Sequence, residues 1–216
     1  MIKAIIFDMD GLMIDSERVT FESYQEVLKD MNLTMDRTFY VSLLGRTKEG
    51  IAKQFYDAYG QDFPFDQVIT KCHEVMAQRF KQEGVPLKPG LLHLLTYLKK
   101  EHNYKTIVAT SSTRDRVDKI LKQAKITDYF DDSICGDEVI KGKPNPEVFL
   151  KSCEKLGVKA EEAYVLEDSE SGIMAAYSGH IKVICVPDMK YPEPQYASKC
   201  YKIVETLNDV IEILED

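Results

Sequence analysis

The chain has 216 residues, of which 44% are apolar and 30% are charged, so it is long enough and apolar enough to fold around a buried core. Its 28 basic and 36 acidic residues give a net charge of −8, which excludes a general attraction to nucleic acid or to an anionic membrane. No apolar run approaches the ~18 residues that a membrane helix needs. We therefore expect no nucleic-acid partner and no membrane partner.

The cysteine pattern bears on the cellular compartment. The five cysteines are odd in number, scattered and never spaced as CxxC. This argues against a disulfide framework and against a zinc knuckle. The apolar stretch at residues 4–7 is too short for a signal peptide and runs into acidic residues. These features favour a cytoplasmic protein.

The first predicted element is a strand at residues 3–7, a short apolar run that ends in charge. Continuous apolar runs of this length are typical of strands that are buried on both faces of a parallel sheet. Similar runs recur along the chain at residues 105–110, 163–166 and 181–186, with weaker candidates at 132–135 and 201–204.

Apolar residues at helical spacing lie between these strands. Pro146 suits the first turn of one such helix, and Gly157 ends it. Strand followed by helix, repeated, predicts an α/β fold in which helices flank a Rossmann-like parallel sheet. The helices of this part of the chain are expected at residues 90–100, 115–124, 146–156 and 169–178.

Residues 16–83 break the alternation, because they contain helical patterns and no convincing strand. The chain is therefore expected to form an α/β core of residues 1–15 and 84–216, with an all-helical insert at 16–83. The two crossings between these domains are expected to act as hinges. Three helices are expected in the insert, at residues 17–31, 48–59 and 66–80.

Polar side chains follow the predicted strands at their carboxyl ends, where ligands bind in an open parallel sheet. If the fold is as predicted, these side chains converge in one place. They are Asp8 and Asp10 after the first strand, Ser111 and Ser112 after the second, Lys141 and Lys143 after residues 132–135, and Glu167 and Asp168 after residues 163–166.

These residue types together indicate phosphoryl transfer. Several carboxyl groups crowded together cannot all stay ionised without a cation. Ligands that are all oxygen favour a hard ion, and Mg²⁺ keeps waters and leaves room for a substrate phosphate. A hydroxyl and an ammonium would bind the phosphate oxygens. One carboxylate is then available to attack phosphorus, and a second, two residues on, to transfer protons.

Four short segments carry a family resemblance: Asp8-Met9-Asp10-Gly11, Thr110-Ser111-Ser112, Gly142-Lys143-Pro144 and Leu166-Glu167-Asp168-Ser169. In this order they resemble the motifs of the haloacid dehalogenase superfamily of phosphotransferases. The helical insert directly after the first segment is similar to the cap of the subgroup that contains β-phosphoglucomutase and small-metabolite phosphatases. The resemblance covers the whole chain.

The resemblance implies roles for the four carboxylates. Asp8 would be the nucleophile that becomes an aspartyl-phosphate. Asp10 would be the general acid/base, and its backbone carbonyl would also bind Mg²⁺. Asp168 would ligate Mg²⁺, with Glu167 as a further ligand or as a support acting through water. The predicted metal set is therefore Asp8, Asp10, Glu167 and Asp168.

The resemblance also implies residues that bind substrate. Ser111, with Ser112 beside it, would bind the phosphoryl group that is transferred. Lys143 would pair with that group and with Asp8, although Lys141 is a rival two residues away. In the cap, Arg46 or Lys48 falls where relatives carry a loop that determines substrate specificity.

The motifs define the chemistry but not the acceptor of the phosphoryl group. β-Phosphoglucomutases commonly carry a histidine at the position of Thr20, and no histidine occurs in residues 11–72. The sequence Asp15-Ser16-Glu17 looks more like the phosphatase members. We therefore expect a phosphatase of small phosphorylated metabolites (sugar or polyol phosphates, or nucleotides), with a phosphosugar mutase of the β-phosphoglucomutase type as the alternative.

Two further hypotheses, a dehalogenase and a non-catalytic binding module, are less favoured by the sequence. Dehalogenases of the family lack the equivalent of Asp10, so Asp10 argues against that reaction. A binding module without catalysis would be expected to lose the nucleophile or the lysine, and both Asp8 and Lys143 are present. A monomer is the expected state for a capped enzyme of this size.

Overall fold

The structure, a computed structural model, describes residues 1–101 and 104–215, with residues 100 and 101 described by their backbone alone. It divides into two compact units, Met1–Asp15 with Val85–Asp216, and Ser16–Gly84. The sequence prediction assigns residue 84 to the first unit, whereas the structure places it in the second. No helix in the described ranges is long and apolar enough to cross a membrane.

Four helices form the second unit within the described residues: α1 (Ser16–Lys29), α2 (Arg37–Leu43), α3 (Lys48–Tyr59) and α4 (Phe65–Glu83). Helices α1, α3 and α4 lie where the helical spacing predicts them. Helix α2 was not predicted, because its seven residues span too few turns to display a periodicity. It begins at an Asp36 cap, whose side chain accepts a hydrogen bond from the Phe39 backbone at 2.7 Å.

Aromatic side chains form the core of this helical unit. Phe55 is fully buried. Its ring centre lies 5.5 Å from that of Tyr24, 5.6 Å from Phe39, 5.2 Å from Phe63 and 5.4 Å from Phe65. These separations suit favourable ring–ring contacts. Phe55 therefore joins α3 to the other three elements of the unit.

Among the described residues of the first unit, six parallel strands form one sheet. Their order across the sheet is β3-β2-β1-β4-β5-β6, counted along the chain, so the first strand is central. The strands are β1 (Ala4–Phe7), β2 (Lys105–Ala109), β3 (Asp132–Ile134), β4 (Ala163–Glu167), β5 (Lys182–Cys185) and β6 (Lys202–Ile203).

The register of the sheet determines where the polar residues lie. Phe7, the last residue of β1, is level with Val108 of β2 and with Leu166 of β4. Since the strands are parallel, their carboxyl ends lie at one edge. All residues of β1 are buried, as expected for a strand that is covered on both faces. The predicted α/β fold with a parallel sheet is confirmed.

Six further helices belong to the first unit as the structure describes it. Helix α7 packs on the sheet through Val148 and Phe149, and α8 begins after Ser169, whose side chain accepts from the Gly172 backbone. Two short helices near the end of the chain, α9 and α10, were not predicted. The six are α5 (Leu91–Thr96), α6 (Arg114–Ala124), α7 (Glu147–Leu156), α8 (Glu170–Ser178), α9 (Pro194–Ala197) and α10 (Asp209–Glu215).

The segments that lead out of the first unit and back into it pair with each other. Ile14 and Leu87 form an antiparallel bridge. The Asp15 backbone donates to the Pro86 carbonyl at 2.9 Å, and the Lys88 backbone donates to the Met13 carbonyl at 2.9 Å. The helical insert therefore leaves the core and returns to it through a short paired ribbon.

Replacing Phe55 tests the aromatic core. Phe55→Ala removes a fully buried ring and leaves a cavity, so we expect the free energy of unfolding to fall by about 3–5 kcal/mol. Urea unfolding, monitored by circular dichroism, measures this free energy. Lys53→Ala, at an exposed position of the same helix, is the control and should change the value by less than about 0.5 kcal/mol. Equal losses in both variants would show that Phe55 does not anchor this core.

Candidate active site

Asp8 directly follows β1 and continues its pairing with β4. Its backbone N–H donates to the Leu166 carbonyl at 3.0 Å. The chain then turns, because Gly11 adopts a φ of +83°, which an L side chain rarely adopts. The Ile14 backbone donates back to the Met9 carbonyl at 3.1 Å. This turn presents Asp8 and Asp10 at the carboxyl edge of the sheet.

A buried ammonium group connects two carboxylates at this edge. Nζ of Lys143 lies 2.5 Å from Oδ1 of Asp8 and 2.7 Å from Oε1 of Glu167. The three side chains are only 5%, 9% and 1% exposed, respectively. The same Nζ donates to the Ala109 carbonyl at 3.2 Å and lies 4.8 Å from the Phe149 ring centre. Charges this deeply buried require such partners.

Burial and charge together perturb the pKa values of this cluster. Burial, with a smaller contribution from Glu167, raises the pKa of Asp8 to about 7, although the Lys143 charge opposes the rise. Burial alone would lower the pKa of Lys143, but the Asp8 and Glu167 carboxylates outweigh it and raise that pKa overall. The Lys143 charge in turn favours the carboxylate form of Asp8.

Glu167 is fully occupied within the protein. Its Oε1 accepts from Lys143, and its Oε2 accepts from the Ser169 backbone at 2.7 Å and from the Ser169 hydroxyl at 2.9 Å. Gly172 packs directly on this carboxylate, since a Cβ there would lie 1.7 Å from Oε1. This geometry favours a supporting role for Glu167 and not direct ligation of a metal.

The side chains of the four residues predicted to hold Mg²⁺ have different partners. No three His, Cys, Asp or Glu side chains within the described ranges are placed to hold a metal ion by themselves. The Glu167 carboxylate faces Lys143, and the Asp10 carboxylate faces Arg116. The predicted metal set, in which Asp10 contributes its backbone carbonyl and Glu167 is a further ligand or a support, stays a prediction.

A smaller set of oxygen donors does fit Mg²⁺. Asp8 and Asp168 follow neighbouring strands, and Asp168 lies against the turn: a Cβ on Gly11 would be 2.3 Å from its Oδ2. Only glycine leaves this space beside the Asp10–Gly11 backbone. Two carboxylates with a main-chain carbonyl, and waters in the remaining positions, are a donor set that Mg²⁺ accepts.

Asp10 forms a bidentate ion pair that the sequence did not predict. Nη2 of Arg116 lies 2.7 Å from Oδ1 of Asp10, and Nη1 lies 2.5 Å from Oδ2. The Ser112 hydroxyl also donates to Oδ2, at 2.8 Å, and accepts from Nη1 of Arg116. No sequence pattern indicated this contact, because Ser112 lies before α6 begins and so does not share a helix face with Arg116.

The two serines lie in the turn between β2 and α6. The Ser112 backbone donates to the Thr110 hydroxyl at 3.1 Å, and its carbonyl accepts from the Gly136 backbone at 2.8 Å. Ser111 is exposed. A Cβ on Gly136 would lie 2.2 Å from the Ser111 carbonyl oxygen, so glycine permits this close approach. Ser111 is thus presented at the edge of the sheet, while Ser112 contacts Asp10.

The structure brings Lys143, and not Lys141, to Asp8. Lys141 is exposed. Its backbone N–H and that of Ile140 donate to the two carboxylate oxygens of Glu147, each at 2.9 Å. Glu147, the first residue of α7, therefore anchors the loop at Ile140 and Lys141, just before Lys143.

Arg46 lies between α2 and α3 in the helical unit, and Lys48 is the first residue of α3. Nε of Arg46 donates to the Ser42 carbonyl at 2.6 Å. Nζ of Lys48 pairs with Oδ1 of Asp66 at 2.8 Å, and both side chains are mostly exposed. Their predicted contact with substrate stays a prediction.

Comparison with known proteins identifies the family. The haloacid dehalogenase-like hydrolase family matches residues 5–186, and the chain belongs to it. The phosphorylated carbohydrates phosphatase of Thermotoga maritima is 29% identical over 213 residues, which cover 99% of this chain and 90% of that protein. Hexitol phosphatase B of Escherichia coli K12 is 29% identical over 187 residues, covering 86% of this chain and 84% of that enzyme.

A solved structure agrees with this assignment. A Thermotoga maritima protein, provisionally described as a β-phosphoglucomutase, superposes with a TM-score of 0.82 at 26% identity, and the match covers 99% of each chain. The family and the phosphatases within it confirm the predicted enzyme class, a phosphoric monoester hydrolase.

Removing the buried ammonium tests the site. Lys143→Ala leaves two buried carboxylates without their cation, so we expect the free energy of unfolding to fall by about 3–5 kcal/mol. Phosphatase activity should be lost with it. Lys141→Ala removes an equal charge from an exposed position of the same loop and should change neither quantity. Normal activity in Lys143→Ala with loss in Lys141→Ala would reverse the assignment of the lysine.

Proposed function

We propose that the chain is a Mg²⁺-dependent phosphatase of small phosphorylated metabolites, namely sugar or polyol phosphates or nucleotides, that acts through an aspartyl-phosphate on Asp8. The observation that carries the proposal is the buried Lys143 ammonium held against Asp8 at the carboxyl edge of the sheet. An anionic nucleophile with a fixed cation at 2.5 Å is suited to receive a phosphoryl group, whose negative charge the cation offsets.

The first half of the proposed reaction uses Asp8 and its neighbours. The Asp8 carboxylate attacks phosphorus, while Asp10 protonates the leaving oxygen of the metabolite. Ser111, exposed at the end of β2, and Lys143 bind the oxygens of the transferring group. Mg²⁺, held by Asp8, Asp168 and the Asp10 carbonyl with Glu167 in support, would neutralise phosphate charge and orient the group.

The second half of the reaction releases phosphate. Asp10 takes a proton from water, and the hydroxide attacks the aspartyl-phosphate. Asp8 is regenerated as a carboxylate beside Lys143. The same two residues therefore serve both halves, with Asp10 acting first as an acid and then as a base.

The substrate class is inferred from the relatives and from the helical insert. The two phosphatases above are named for phosphorylated carbohydrates and for hexitol phosphates, which supports a sugar or polyol phosphate here. We propose that Arg46 or Lys48 of the insert binds the part of the substrate that is not transferred. The monomeric state and the cytoplasmic location stay predictions.

Water is favoured over a second sugar hydroxyl as the phosphoryl acceptor. The position where mutases commonly carry histidine is Thr20, whose hydroxyl donates to the Ser16 carbonyl at 2.8 Å and lies 3.4 Å from Sδ of Met76. Unlike the imidazole of a histidine, the hydroxyl of Thr20 does not titrate near neutral pH. A phosphosugar mutase is the second candidate, supported by the Thermotoga maritima structure described above.

Phosphate release by wild type and by Asp8→Asn tests the proposal. Each protein is incubated with Mg²⁺ and a panel of hexose and hexitol phosphates, and phosphorus NMR follows the products. Wild type should release free phosphate, and Asp8→Asn should release essentially none, because the amide is a poor nucleophile. Asp128→Asn, at an exposed turn, should match wild type, and EDTA should stop release.

Other outcomes of this time course would contradict the proposal. Full turnover by Asp8→Asn would exclude Asp8 as the nucleophile. With β-glucose 1-phosphate and a trace of glucose bisphosphate, conversion to glucose 6-phosphate without free phosphate would show a mutase.

A further inference from the structure

The bidentate pair between Arg116 and Asp10 carries an inference that rests on the proposed function, since it gives a role to a residue that acts through Asp10. We propose that Arg116 is a positioning residue that fixes the Asp10 carboxylate for proton transfer to and from the phosphorylated substrate. Both oxygens of Asp10 contact the guanidinium, at 2.7 Å and 2.5 Å.

The base of the Arg116 side chain is itself fixed. Arg116 lies in the first turn of α6, which begins after Thr113. The same helix is anchored to the core by Val117, Ile120 and Leu121, all of which are buried. The helix therefore fixes the backbone from which the Arg116 side chain extends, and the planar guanidinium determines the plane of the carboxylate that it contacts.

Ser112 links this pair to the phosphate-binding turn. Its hydroxyl donates to Oδ2 of Asp10 and accepts from Arg116, so the three side chains form a closed set of contacts. A motion of the Ser111–Ser112 turn would therefore change the position of the Asp10 carboxylate. This contact ties the orientation of the acid/base to the segment proposed to bind the phosphoryl group.

The pair differs from an ordinary surface ion pair on the same helix. The side chains of Arg116 and Asp10 are 30% and 26% exposed, whereas Lys119 and Asp115, one turn apart on α6, are 68% and 78% exposed and joined through a single contact. Exposed single contacts of that kind contribute little. The partly buried bidentate pair has the geometry that fixes orientation.

The pair is compatible with proton transfer by Asp10. A carboxylate can accept about four hydrogen bonds. Arg116 takes two of them and the Ser112 hydroxyl a third, and these contacts fix the plane of the carboxylate from which Asp10 would exchange a proton. Without Arg116 the carboxylate would rotate, and a reacting group displaced by about 1 Å can lose about 10²-fold in rate.

The test compares two leaving groups. An alkyl phosphate needs protonation of its leaving oxygen, whereas p-nitrophenyl phosphate has a good leaving group that needs little. For the hexose or hexitol phosphate that wild type hydrolyses fastest, Arg116→Ala should lower kcat/KM by about 10²-fold. The loss on p-nitrophenyl phosphate should be clearly smaller. Arg116→Lys keeps the charge and one contact, so it should recover part of the loss.

Two controls separate positioning from a structural role. Lys119→Ala removes a cation from the same helix and should leave kcat/KM unchanged on both substrates. In an Asp10→Asn background, Arg116→Ala should cause no further loss, because its effect is transmitted through Asp10. Thermal unfolding of each variant verifies that it is folded.

The possible failures are distinguishable. Equal losses on both substrates, wild-type kcat/KM in Arg116→Ala, or an additional loss in the Asp10→Asn background would overturn the role of Arg116 while leaving the phosphatase intact. No hydrolysis of either substrate by wild type would overturn the proposed function and this inference together.

Discussion

The site depends on one ammonium group that lies between two buried carboxylates. Asp8, Glu167 and Lys143 come from three distant parts of the chain, and their side chains are almost entirely removed from water. Burying any one of these charges alone would be strongly unfavourable, and only the triple contact offsets it. The strands that carry Asp8 and Glu167 must therefore be neighbours, and the Lys143 loop must reach across to them.

The carboxylates at this edge differ in their ion-pair partners. Lys143 joins Asp8 to Glu167, and Arg116 holds Asp10. Lys143 contacts two carboxylates and Arg116 a third, so acidic residues that lie close together have different surroundings. Asp168 lies on the remaining side, against the turn at Gly11. The proposed roles of nucleophile, proton carrier and metal ligand follow this division.

The fold was predictable because its signals are local. Short apolar runs identified all six strands, and the meeting of Asp8, Lys143 and Asp168 at one edge follows from a parallel sheet. Helix α2 was missed because seven residues are too few for a periodic pattern. The matching family motifs supplied the chemistry, which the apolar pattern alone does not contain.

The partners of the charged side chains were not predictable in the same way. Which cation meets which carboxylate depends on contacts between segments far apart in the sequence. The sequence placed Asp10 and Glu167 near one predicted metal site but did not identify their ion-pair partners, which are Arg116 and Lys143. Arg116 belongs to none of the quoted motifs, so no pattern in the sequence indicated its contact with Asp10.

Trapping the covalent intermediate examines the chemistry of Asp8 directly. Wild-type enzyme is mixed with Mg²⁺ and its fastest sugar phosphate, quenched in acid within the first turnover, digested at low pH and mapped by mass spectrometry. A nucleophilic Asp8 predicts one phosphoryl group on the peptide that contains Asp8, at a level that follows the first release of dephosphorylated sugar. A phosphoryl group on another residue, or release of that sugar with none on the protein, would contradict it.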